Sequence, residues 1–175
     1  RERGWGALAI NFRSCSGELN RLRRSYHGGE TGDLAWVIDR VIERDPGRPI
    51  VCAGLSLGGN VLLKYLGERG DRVPAQVRAA VAISAPMDLK ASAQALDHGV
   101  ARIYGGRLVK SLQRKTLAKL ERFPNLVDRK AMLAAKTLKE FDDLVTAPVH
   151  GFKDAEAYWA ASSSAQFLSG ITRPT

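Results

Sequence analysis

Cys52-Ala53-Gly54-Leu55-Ser56-Leu57-Gly58-Gly59-Asn60 is the stretch on which the fold turns, because it sets a serine in Gly-x-Ser-x-Gly between an apolar run and an amphipathic one. A serine at a strand-to-helix turn needs small neighbours two residues to either side, since the backbone is strained and the hydroxyl must stand clear of the chain. Gly54 and Gly58 hold those places. The pattern alone is weak, and its flanks give it weight. Before it, Pro49-Ile50-Val51-Cys52-Ala53 is a short apolar run opened by proline, as suits a buried parallel strand. After it, Val61, Leu62, Tyr65 and Leu66 recur at helical spacing, with Gly67 and Gly70 as a stop. The segment predicts a nucleophile elbow with Ser56 as nucleophile and the backbone N–H of Leu57 as an oxyanion donor, aided by the dipole of the following helix.

Working outward, Trp5-Gly6-Ala7-Leu8-Ala9-Ile10-Asn11-Phe12 predicts a strand that leaves through the loop Arg13–Gly17. Leu34, Val37, Ile38, Val41 and Ile42 form one helical stripe, with Asp33 as its expected cap and Asp45-Pro46-Gly47 as its end. A further strand is expected over Ala79–Ser84, stopping at Ala85-Pro86. Strand, helix, strand, helix, strand is the order of a mostly parallel sheet with covering helices, an α/β fold. Beyond Met87 the pattern is helical: one helix through Leu108, Leu112, Leu117 and Leu120, another over Met132–Phe141, and a third over Ala155–Leu168, with Pro124 and Pro148 as breaks. Residues 1–87 are expected to form the central part of a core and 88–172 a helical cap over the strand ends, with 173–175 beginning the next core strand.

The 175 residues, 45% apolar and 26% charged, are ordinary for a soluble globular protein, and no run is long enough to span a membrane. Arg1-Glu2-Arg3-Gly4 shows neither an initiator methionine nor a signal-peptide pattern, so the chain is expected to begin inside a longer one, and its end is as abrupt. Cys15 and Cys52 have no metal-ligand spacing and make no disulfide framework, which favours a reducing, cytoplasmic setting. The net charge of +9 is uneven. From Ala101 to Glu140, eleven Lys/Arg face only Glu121, Asp128 and Glu140. This is either a solvated basic helical face or a surface with weak affinity for anionic lipid headgroups; no nucleic-acid motif accompanies it.

The chain resembles the YheT-like branch of the α/β-hydrolase superfamily along its whole length. Asn11-Phe12-Arg13-Ser14-Cys15-Ser16-Gly17 is similar to that family's Asn-Phe-Arg-Gly-Cys-Ser-Gly loop, with Ser14 in place of a glycine. Tyr26-His27-Gly28-Gly29-Glu30-Thr31 resembles its Tyr-His-Ser-Gly-Glu-Thr, with Gly28 in place of a serine. Ser56–Leu62 matches its elbow, Ser84-Ala85-Pro86 follows its next strand, and Glu140–Phe152 resembles its cap signature. The resemblance implies a partial α/β-hydrolase fold and a serine hydrolase of carboxylic esters, acylglycerol or short-chain acyl, working without metal or organic cofactor. It also implies a Ser-Asp-His triad whose acid and base follow strands beyond the cap, so that of the three only Ser56 falls in this chain, and a His-Gly oxyanion loop that would precede Arg1. In the superfamily, the strand just before Arg1 would lie between the first two strands predicted here.

Other groups weigh less. His27 belongs to the Tyr-His motif and is expected to tether a loop; His98 and His150 lie in the cap without the strand context of a triad histidine. Asp142 and Asp143 read as solvated or helix-end carboxylates. Tyr104, Tyr158 and Trp159 could line an acyl pocket, although core packing explains them as well. Loss of a triad base costs about 10⁶ in turnover, roughly 8 kcal/mol, so the chain by itself is expected to be inactive. Two other classes compete. A nucleotide-binding unit using Gly54, Gly58 and Gly59 wants Gly-x-Gly-x-x-Gly and an acidic residue where Ser84-Ala85-Pro86 stands. A non-catalytic, truncated or pseudoenzyme form would use its basic cap to bind acidic surfaces.

Overall fold

The computed structural model describes residues 4–175. Its centre is a strand-helix-strand unit. Strand β1 (Ile50–Leu55) runs into helix α2 (Leu57–Arg69), and strand β2 (Val77–Ile83) lies parallel to β1, with Leu55 opposite Ile83 and a register shift between Ile50 and Val51. Helix α1 (Gly32–Arg44) precedes β1 and ends at Asp45, whose N–H donates to Val41 O. The sheet has two strands among the described residues. The chain is therefore α/β with a partial parallel sheet, as the element order implies.

The extended run Trp5–Phe12 is the main departure from the sequence reading, since it joins no ladder. A strand exists only by exchanging hydrogen bonds with a neighbour, and none of the described residues supplies one here. Its side chains accordingly stay out of the core: Trp5 is 78% exposed and Leu8 61%. The same gap shows on the sheet, where Val51, Leu55, Val81 and Ile83 are exposed.

Helix α2 is enclosed on every side. Leu62, Tyr65 and Leu66 pack with Ala35 and Ile38 of α1 and with Val77 and Ala80 of β2. Its C-terminal end meets the 3₁₀ segment Ser164–Gly170, where a Cβ on Gly67 would collide with the backbone of Phe167. Asp33 does not cap α1. It pairs through both carboxylate oxygens with the Arg13 guanidinium, tying the preceding loop to the helix, while Thr31 holds the cap position.

After β2 come α3 (Leu89–Ala95), α4 (Ala101–Arg122), α5 (Arg129–Ala134), α6 (Leu138–Phe141), a π-helical turn (Asp142–Thr146), α7 (Ala147–His150) and α8 (Ala155–Ser162). Side-chain caps explain several starts: Asp88 for α3, Asp128 for α5, Asp154 for α8, and Thr137 with Glu140 in a capping box for α6. The helix expected over Met132–Phe141 is thus split at Thr137. Pro148 is not a break, because it sits in the first turn of α7, where its missing N–H costs nothing. The third helix is likewise shorter than expected and gives way to the 3₁₀ segment.

Lys119, on the buried face of α4, points its ammonium at the carbonyls of Leu22, Arg23 and Arg24 at 2.9, 2.9 and 2.7 Å. All three of its protons are used, and the loop before Tyr26 is thereby fastened to α4. A second polar fastening joins the sheet unit to the later helices. Asn60, fully buried in α2, donates to Gly28 O (2.8 Å) and Ser162 O (2.9 Å) and accepts from Ser164 N–H (2.9 Å). Asn60→Ala strands these three buried groups, so urea denaturation should show a loss of roughly 3 kcal/mol or more. A loss below about 1 kcal/mol would mean that water replaces the amide there.

Candidate active site

Ser56 stands at the junction of β1 and α2 with φ 51° and ψ −124°, in the left-handed half of backbone space where non-glycine residues are uncommon. Such a conformation costs on the order of 1–3 kcal/mol and persists only where its surroundings enforce it. Here Ser56 N–H donates to Ile83 O of β2 (2.8 Å), and its carbonyl accepts from Gly59 N–H (2.8 Å) and Asn60 N–H (3.2 Å) to begin α2. The side chain caps nothing, which leaves the hydroxyl free of the helix it precedes. Leu57 opens α2, so its N–H has no acceptor within the helix.

The glycine requirement differs from the sequence expectation in one respect. A Cβ on Gly54 would come within 2.6 Å of Gly58 O and 2.7 Å of Gly59 Cα, and one on Gly59 within 2.8 Å of Ala85 Cβ. At Gly58 the nearest neighbour of such an atom is Phe12 Cζ at 4.0 Å, which is ordinary contact. The tight crossing of strand and helix therefore rests on Gly54 and Gly59.

Ser56 and Leu57 line a cavity of about 690 Å³ with a largely apolar wall that includes Phe12, Leu89, Leu108 and Leu112. That volume suits an organic ligand of moderate size. Ser84, at the end of β2, also lines it and shares the unusual backbone, at φ 51°. Tyr158 and Trp159 serve both as wall and as core, and Tyr104 lines the cavity while remaining 57% exposed.

His27 tethers its loop, as its motif suggests. Its Nδ1 accepts from Gly29 N–H at 3.1 Å, and its ring lies among His150 (4.6 Å between centroids), Phe152 and Tyr158. Burial, then the neighbouring His150, pull its pKa from 6.5 down to about 4, too low for an effective general base near neutrality. Both ring nitrogens of His150 face main-chain carbonyls, Thr146 O at 2.8 Å and Ser25 O at 3.1 Å, so neither serves Ser56. His98 is exposed.

The two aspartates separate. Asp143 is a helix-end carboxylate as expected, accepting from Ala155 N–H at 2.7 Å and pairing with Lys139. Asp142 is not solvated. It is buried, lines the cavity, and accepts from Trp159 Nε1–H (2.8 Å) and Thr146 Oγ1–H (2.6 Å). Burial raises its pKa from 3.8 to about 6 against the pull of those two donors. Helical periodicity gave no sign of this, because two adjacent acids look alike until packing separates them.

A family model described as "Serine aminopeptidase, S33" (Hydrolase_4) matches residues 30–141. The chain belongs to this α/β-hydrolase family. Among curated proteins it is 38% identical over 177 residues to the putative esterase YheT of Escherichia coli, covering 99% of this chain and 51% of that protein. It is 32% identical to the monoacylglycerol lipase of Saccharomyces cerevisiae (96% of this chain, 38% of that protein) and 29% identical to the mouse phospholipase ABHD3 (99% and 42%). The α/β-hydrolase chain thus spans about half the length, or less, of these relatives. No solved structure matches significantly. The similarity to YheT agrees with the YheT-like motifs.

Two measurements test the site's physics. Gly54→Ala should destabilise the fold by roughly 1–3 kcal/mol in urea, because its methyl meets backbone that cannot turn aside. The Asp142 and His27 shifts oppose each other. Asp142 holds its proton in the folded state between pH 3.8 and about 6, so its contribution to stability falls as pH rises through that window. His27 lacks a proton that the unfolded chain binds between about 4 and 6.5, so its contribution falls as pH drops. Relative to the unsubstituted protein, Asp142→Asn should gain stability from pH 4 to 6 and His27→Gln should gain it from pH 6.5 to 4, each on the order of 3 kcal/mol by denaturation. The same sign for both would refute the burial assignments.

Proposed function

We propose that the parent protein is a serine hydrolase of carboxylic esters, acylglycerol or short-chain acyl, with Ser56 as nucleophile and Leu57 N–H as one oxyanion donor. The observation that carries this reading is the strained Ser56 backbone in the wall of a largely apolar cavity of about 690 Å³. Strain of this kind is retained where it aims a reactive group. The relatives' names, an esterase, a monoacylglycerol lipase and a phospholipase, agree on ester substrates and include lipids.

In this reading Ser56 Oγ attacks the ester carbonyl carbon as a base takes its proton, and the oxyanion forms against Leu57 N–H at the positive end of α2. Collapse of the tetrahedral intermediate expels the alcohol with the returned proton, and water then releases the acid from the acyl-serine. The base and its orienting acid in this reading are a histidine and an aspartate elsewhere in the parent protein, which is supported by the low pKa of His27 and by both ring nitrogens of His150 facing main-chain carbonyls. Residues 1–87 act as core and 88–172 as a cap whose Leu108, Leu112, Tyr158 and Trp159 would meet the acyl chain. No helix among the described residues is long and apolar enough to cross a membrane. The free thiols of Cys15 and Cys52 favour a reducing, cytoplasmic setting in this reading.

A fluorophosphonate probe should label the parent protein, and Ser56→Ala should abolish both labelling and hydrolysis of an activated short-chain ester, by about 10⁴-fold or more in turnover. Undiminished labelling of the Ser56→Ala protein would move the nucleophile elsewhere.

A further inference from the structure

The exposed side of α4 carries an organised surface that ester chemistry does not require. Val100, the residue before the helix, and Ile103 and Tyr104 in its first turn are 85%, 64% and 57% exposed. Arg107, Lys110 and Arg114 follow at spacings of three and four, which places all six residues on one stripe. The opposite side, with Val109, Thr116, Lys119 and Leu120, is buried. No acidic residue occurs between Asp97 and Glu121.

The three cations are also unpaired among the described residues. Some exposed cations elsewhere find carboxylates, as in Arg40–Glu43, Arg48–Asp45, Lys90–Glu156 and Lys139–Asp143, and others, such as Arg21, Arg44 and Arg78, do not; what marks α4 is three such cations in one row beside exposed apolar side chains. Three aliphatic or aromatic side chains held in water beside three uncompensated charges complement a surface that is apolar beneath and anionic on top. A bilayer of anionic lipids has that layering.

We infer that this stripe of α4 docks the protein on anionic lipid bilayers, Val100, Ile103 and Tyr104 entering the interface while Arg107, Lys110 and Arg114 rest on lipid phosphates. The placement gives the docking a use. Tyr104 belongs to both the stripe and the cavity wall, and Leu108 and Ser111, one step round the helix, line the cavity too. A docked protein therefore presents the cavity at the level from which an esterified lipid would leave the membrane. That consequence rests on the proposed hydrolase activity; the docking itself does not.

The test is sedimentation of the full-length parent protein with phosphatidylcholine vesicles with and without phosphatidylglycerol, at low and high salt. Binding should favour the anionic vesicles and weaken with salt. Each neutralised cation should lower partitioning about fivefold, so Arg107→Gln/Lys110→Gln/Arg114→Gln should lose about a hundredfold. Val100→Ser/Ile103→Ser should lose roughly tenfold. Circular dichroism and hydrolysis of a water-soluble ester should be unchanged in these proteins, and single substitutions serve if a multiple one fails to fold. Equal partitioning onto neutral and anionic vesicles, variants that bind like the parent, or retention on an acidic protein without vesicle binding would each overturn the assignment. Vesicle binding without fluorophosphonate labelling would uphold docking and reject only the hydrolase reading.

Discussion

The side-chain amide of Asn60 is the interaction on which the rest of the arrangement depends. It sits one turn into the helix that Ser56 begins, and its three hydrogen bonds reach the loop at Gly28 and the two ends of the turn between α8 and the 3₁₀ segment. Gly28 is gripped from its other side as well, since its N–H donates to Tyr158 Oη at 2.9 Å. One buried amide thus sets the distance between the sheet unit and the helices that close the cavity. A Cβ on Gly29 would run into Ser162, so the loop and α8 meet with no space to spare. Buried polar groups are costly when unpaired, and a complete set of partners makes their geometry nearly unique.

Around that clamp the cavity combines an apolar wall with a few polar groups whose ionisation is set by burial. His27 is kept neutral, and Asp142 is spent on orienting Trp159 and Thr146. Neither is disposed to move a proton for Ser56. The strain at Ser56 is held by the same scaffold: its N–H is anchored to β2 and its carbonyl to α2, so the hydroxyl is the part left unconstrained.

The sheet and helices divide the labour in a way that explains the exposed surfaces. Helix α2 is buried on all sides, whereas the sheet shows a row of branched apolar side chains on one face. Basic charge is concentrated where α4 turns outward, next to the cavity rather than opposite it.

Much of this was legible in the residue order. The apolar run before Ser56, the helical spacing after it and the glycines between them determine a strand-turn-helix with a serine at its apex, because those constraints are local: side-chain period, backbone freedom and capping. The motifs likewise determine membership of the α/β-hydrolase family. Tertiary structure alone decided that Trp5–Phe12 would join no ladder, since a strand depends on a partner and not on its own composition. It decided that Gly59 rather than Gly58 is the tight contact, and that Asp142 is buried while Asp143 is not. It also gave Asn60 its role. An asparagine early in a helix reads as an ordinary polar residue, and its importance comes from groups distant in sequence that only folding brings within hydrogen-bonding reach.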